Sequence, residues 1–141
     1  MSRENVEIVL AANAVFERDY IRWLQDDAGW DAFAAHLHPD VEHVSVNRVE
    51  DKVVHHDAEA FRRGWSMWIE PWESYRQEIN EVHDCGERVL LLVTHFARAS
   101  GTDHEVKMKG AGLWTVRDGL IVRLESYTDP AEALKAVGLE E

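Results

Sequence analysis

The spacing of hydrophobic positions changes character along the chain, and the changes mark the elements. From Arg3 to Gln25 the apolar residues Val6, Val9, Leu10, Ala14, Phe16, Tyr20, Trp23 and Leu24 recur at helical intervals, which predicts one long amphipathic helix. Trp30, Phe33, Ala34 and Leu37 form the apolar side of a short second helix that Pro39 should stop. Val41 to Val49 alternates as a strand does, with Lys52–His56 as its short hairpin partner. Asp57 can cap a third helix, on which Phe61, Trp65, Trp68 and Trp72 recur before and just past Pro71.

Beyond Ser74 the period becomes two. Ser74–Val82 reads as extended, His83-Asp84-Cys85 as a turn, and Val89–Val93 as a continuous apolar strand. Ser100–Asp103 is a turn cluster, Glu105–Arg117 a further strand, and Asp118-Gly119 a strong hairpin signal before Leu120–Tyr127. Ala131–Val137, between Pro130 and Gly138, is a closing helix. Helix, helix, hairpin, helix and then four antiparallel strands define an α+β chain, with helices on one face of the sheet and a cleft between.

Composition narrows the partners. At 141 residues the chain has the size of one domain, 1–141, and six tryptophans are ample for its core. A net charge of −12 with scattered basic residues argues against nucleic acid, whose phosphates require clustered Lys and Arg. No apolar run approaches membrane-span length, and charges throughout residues 1–25 give no sign of a leader, so no membrane association and a cytoplasmic location are expected. The single cysteine, Cys85, suits a reducing compartment.

Several words in the chain carry a resemblance: Ser2-Arg-Glu-Asn-Val-Glu-Ile-Val9, Leu37-His-Pro-Asp-Val-Glu42, Cys85-Gly-Glu-Arg-Val89, Leu113-Trp-Thr-Val-Arg-Asp-Gly-Leu-Ile-Val122 and Asp129-Pro-Ala-Glu-Ala-Leu134. Together they span nearly the whole sequence, which resembles the SnoaL-like proteins of the nuclear transport factor 2-like superfamily. The resemblance implies a cone: a strongly curved antiparallel sheet with three N-terminal-side helices on its concave face, and often a homodimer through the outer sheet face. It implies no single activity, because the fold hosts isomerases, cyclases, dehydratases, epoxide hydrolases and non-catalytic binders. Residues 17–29 depart from the pattern by adding roughly two helical turns near the mouth of the cone.

The resemblance can be carried over residue by residue for ketosteroid isomerisation, which needs a carboxylate base, a tyrosine and a protonated aspartic acid. The base position falls on Ser45, the acid donor on Gly112 and the tyrosine on Ala12 or Asn13. Serine and glycine cannot take a proton from carbon, so steroid-isomerase chemistry is not expected. His43 and Ser45 lie two apart on one strand and face the same way, which the resemblance makes the cleft side. His43 can act as a general base near neutral pH, with Ser45 as a partner, or can simply line the cleft.

Phe16, Tyr20, Trp23, Trp65, Trp68, Gly112 and Trp114 are candidates to line a pocket for a small apolar or aromatic molecule; helical spacing fits core packing equally well. Period-two reasoning leaves the facing of Tyr20, His95, Arg98, Glu125 and Tyr127 open. His36 and His38 lie about 200° apart on a helix, and no HExxH or CxxC occurs, so neither a metal nor another cofactor is expected. The expected function is acid–base chemistry on a small carbonyl or cyclic compound, or ligand binding or protein interaction without catalysis.

Overall fold

The computed structural model describes residues 2–14, 26–46 and 53–139, with the side chains of 2, 46, 53–55 and 68 outside the description. Among the described residues the helices are α1 (Ser2–Asn13), α2 (Asp27–Ala34), α3 (Ala58–Ile69) and α4 (Pro130–Ala136). The strands are β1 (Leu37–Val46), β2 (Val53–His56), β3 (Trp72–Cys85), β4 (Arg88–Ala99), β5 (Glu105–Arg117) and β6 (Leu120–Tyr127). They form one curved sheet in the order β2-β1-β6-β5-β4-β3.

Local signals fix the ends of these elements. The Asp57 side chain accepts from the Ala60 amide at 2.8 Å and caps α3. At the β5–β6 hairpin Asp118 and Gly119 both adopt positive φ, 52° and 81°, the twist a two-residue turn needs. Asp129 caps α4, and the Leu139 amide reaches back to the Leu134 carbonyl at 2.8 Å past Gly138, a left-handed close.

Four features differ from the sequence expectation. The sheet is mixed, because β1 runs parallel to β6 while the other four pairings are antiparallel. β1 already begins at Leu37, so Pro39 sits within a strand, and Trp72 opens β3 instead of extending α3. His83 and Asp84 pair with Leu90 and Val89 inside a long β3–β4 hairpin whose turn is Gly86-Glu87. Finally, helices cover both faces: α4 packs on the outer one, where Ala133 joins Leu90, Leu92, Ala111 and Leu113.

The opposite face carries the main core. Val89, Leu91 and Val93 of β4, Trp114 of β5 and Leu124 of β6 meet Val9 and Ala12 of α1 and Phe33 and Phe61 of α2 and α3. An aromatic set joins these layers: Phe33 lies 5.7 Å from Phe61 and 6.4 Å, edge-on, from Trp114. Arg62 ties α3 to α2 through Asp27 at 3.0 Å.

Candidate functional site

The cavity between helices and sheet measures about 380 Å³, the lower end of the range for small-molecule sites. His43 and Ser45 on β1 and Leu124 and Ser126 on β6 form one end. Leu91 and Val93 on β4, with Gly110 and Gly112 on β5, form the floor, and Tyr75, Gln77, His95 and Met108 form the other end. Asn13 of α1 and Gly64 and Trp65 of α3 close over them. Among the described lining residues Lys109, itself exposed, carries the only fixed charge.

The parallel β1–β6 register sets Ser45 opposite Ser126, and the His43 Nε2–Ser126 Oγ distance is 2.9 Å. His43 is 6% exposed. Its ring lies 4.9 Å from Phe61 and 6.0 Å from Trp65, and those two rings stack at 5.9 Å. The α3 aromatics therefore shield a histidine–serine pair that opens to the cavity from the sheet side.

At the far end, the Gln77 amide donates to Asn13 Oδ1 at 3.2 Å, and Asn13 donates to the Val9 carbonyl at 2.8 Å. Beside them His95 lies 5.5 Å from the Tyr75 ring. Burial holds the His95 ring at a pKa of about 4, so it is neutral at physiological pH.

The two strand glycines are explained by close approach. A β-carbon on Gly112 would stand 2.8 Å from Trp114 Nε1, and one on Gly110 would stand 3.1 Å from the Tyr127 carbonyl oxygen and 3.2 Å from His95 Nε2. Gly112 makes room for the Trp114 ring, and Gly110 for both the β6 main chain and the His95 ring.

The structure brings His43, Ser45, Trp65, Gly112 and Trp114 together in the cavity lining. Phe16, Tyr20 and Trp23 lie outside the described residues, as does the Trp68 side chain. Ser45, Gly112 and Asn13, where the resemblance placed the steroid-isomerase machinery, all line the cavity. His95 faces the cavity, Arg98 pairs with Glu73 at 2.9 Å, and Glu125 pairs with Arg123 at 3.7 Å on the outer face. Tyr127 packs with the α4 cluster, where burial first, and then the Glu125 carboxylate, raises its pKa.

Sequence reasoning did not single out Ser126, Tyr75 or Gln77 as site residues, and reached Asn13 only as one of two positions for a lost tyrosine. Tyr75 and Gln77 carried a usable signal, since alternation put them on one face of β3. Ser126 did not, because β6 gains a residue against β5 between Thr115 and Val116, which breaks its alternation.

A SnoaL-like domain model matches residues 17–124, so the chain belongs to the SnoaL-like domain family. The architecture is the nuclear transport factor 2-like fold. Solved structures show the same fold at low identity. TerC, co-crystallised with polyporic acid, is 20% identical, with 95% of this chain and 98% of that chain covered and a TM-score of 0.71. A candidate SnoaL-like polyketide cyclase from Jannaschia sp. CCS1 is 17% identical, covering 99% and 94%, with a TM-score of 0.69. A ketosteroid isomerase-like fold protein from Catenulispora acidiphila DSM 44928, in complex with trimethylamine, is 18% identical, covering 94% and 93%, with a TM-score of 0.64. No curated protein matches the chain in sequence. No helix among the described residues is long and apolar enough to cross a membrane.

Proposed function

We propose that the chain is a small-molecule pocket protein that performs acid–base chemistry on an uncharged cyclic or carbonyl compound, with His43 as the base. The observation that carries this reading is the 2.9 Å His43–Ser126 contact at the end of an apolar-walled cavity. The acceptor is Nε2, which in the resting state accepts from the Ser126 hydroxyl. As that hydroxyl turns its hydrogen away, Nε2 takes the proton from a carbon next to a ligand carbonyl, and the electron pair left on carbon moves onto the carbonyl oxygen. The Ser45 hydroxyl donates to that oxygen, and the imidazolium then donates Nε2–H to Ser126 Oγ. Relatives crystallised with polyporic acid and with trimethylamine support small molecules as the class of ligand.

The test is exchange of the α-protons of 2-acetonaphthone in D2O, followed by NMR, beside its affinity measured by tryptophan fluorescence. The wild type should accelerate exchange, and His43→Ala should abolish the acceleration while leaving affinity within a few-fold. Binding without exchange in the wild type would favour the second reading, a non-catalytic ligand-binding module. One observation supports that alternative: no carboxylate stands among the described lining residues to balance an imidazolium. Self-association through the outer sheet face is part of the proposal, around Phe96, where Arg76 stacks at 3.9 Å and α4 does not join the packing. Light scattering across a dilution series checks it.

A further inference from the structure

The cavity has a second polar end that the proposed chemistry does not use. On His95, Nδ1 is buried, whereas Nε2 is neither fully buried nor hydrogen-bonded among the described residues. An accessible ring nitrogen in an apolar-walled cavity is a ready hydrogen-bond partner for a guest. Nε2 sits 3.2 Å from the point where a β-carbon on Gly110 would be. Gly110 alternates with Met108 and Gly112 on the cavity face of β5, so that point lies on the cavity side. The absence of a side chain at Gly110 therefore keeps Nε2 uncovered.

The groups around the ring are uncharged. Gln77 and Met108 are the register neighbours of His95 on β3 and β5, and Tyr75 packs against its ring. The fixed charge nearest along β5, Lys109, is exposed and alternates away from Met108 and Gly110, so a carboxylate ligand would meet no buried counter-charge at this end. From β4 to β6 the sheet crosses two strand spacings, roughly 10 Å, so one small group cannot engage His95 and Ser126 together.

Resting on the small-molecule reading above, we infer that His95 is a recognition residue for a neutral oxygen function, bonded through Nε2 at the end of the cavity opposite His43. The ligand class is an uncharged ring compound carrying a carbonyl or hydroxyl oxygen at the His95 end. Gly110 serves this contact by leaving the nitrogen open.

The experiment compares naphthalene with 2-naphthol, by tryptophan fluorescence titration, on the wild type, His95→Phe and Gly119→Ala. A hydrogen bond of ordinary strength should make the naphthol bind about three- to tenfold more tightly than naphthalene to the wild type. His95→Phe should bring that ratio close to one while keeping naphthalene affinity within about twofold, and Gly119→Ala, remote from the cavity, should leave the ratio intact. A second measurement does not depend on either variant folding: the ¹⁵N signal of His95 Nε2 in the wild type should shift on saturation with the naphthol. If both compounds bind but the ratio survives in His95→Phe, or the Nε2 signal stays still, the inference falls and the pocket reading stands. If neither compound binds the wild type, the pocket reading itself falls.

Discussion

A His95 ring kept neutral by desolvation makes the stability of this protein depend on pH in a calculable way. The ring titrates near 4 in the folded chain and near 6.5 when unfolded, because burial disfavours the charged form. As pH falls below about 6.5 the unfolded chain takes up a proton that the folded chain refuses. The contribution of His95 is thus fully present above 6.5, is lost progressively towards pH 4, and falls no further below that.

Between pH 7 and pH 5 the loss is about 2 kcal/mol, and over the whole window it is about 3 kcal/mol. Other groups titrate over the same range, so the informative quantity is a difference between two proteins. Urea denaturation of the wild type and His95→Phe at half-unit steps from pH 7.5 to 4.5 supplies it. The wild type should lose about 2 kcal/mol more than the variant between pH 7 and pH 5. Parallel stability profiles for the two proteins would refute the claim that the ring is desolvated and neutral.

Three further perturbations probe the packing around the site. Gly112→Ala places a methyl group against the Trp114 indole and 3.3 Å from Leu124 Cδ1, so it should destabilise by about 1–3 kcal/mol in urea unfolding and shift the tryptophan emission. Phe61→Ala removes a fully buried ring that packs on His43, Trp65 and Phe33; a loss of about 3–5 kcal/mol is expected by the same assay. Gly119→Ala imposes a side chain at φ 81°, and should cost about 1–2 kcal/mol with no effect on ligand affinity.

The parts of the fold legible in the sequence were those written locally. Asp57, Asp118-Gly119 and Gly138 mark a cap, a hairpin and a helix end wherever they occur, and each does so here. The parallel β1–β6 pairing was not legible, because it joins segments some eighty residues apart and nothing local encodes the direction in which two strands meet. Leu37–Asp40 reads equally as a helix end or a strand start, and the partner strand decides; the Ile121 amide on the His36 carbonyl at 2.8 Å is where that decision falls. Within the site, strand parity put His43 and Ser45 on one face, and the resemblance made that face the cleft side. His95 could not be assigned, because its role depends on what faces it from β3 and β5, above all the empty position at Gly110. The covering of the outer face by α4 was equally invisible, since Ala133, Leu134 and Val137 fit any helix packed against something apolar.

The central claim is that the space between Trp65 and the sheet is a hollow and not a packed core, and filling it tests this most directly. Val93 lines the cavity floor and is 4% exposed. With room above it, Val93→Phe should fold with stability within about 1 kcal/mol of the wild type and bind 2-acetonaphthone at least about tenfold more weakly. Wild-type affinity for the ketone in a well-folded Val93→Phe protein would show that the guest sits elsewhere. A loss of stability of about 3 kcal/mol, the upper range for overpacking a solid core, would show that there is no hollow to fill.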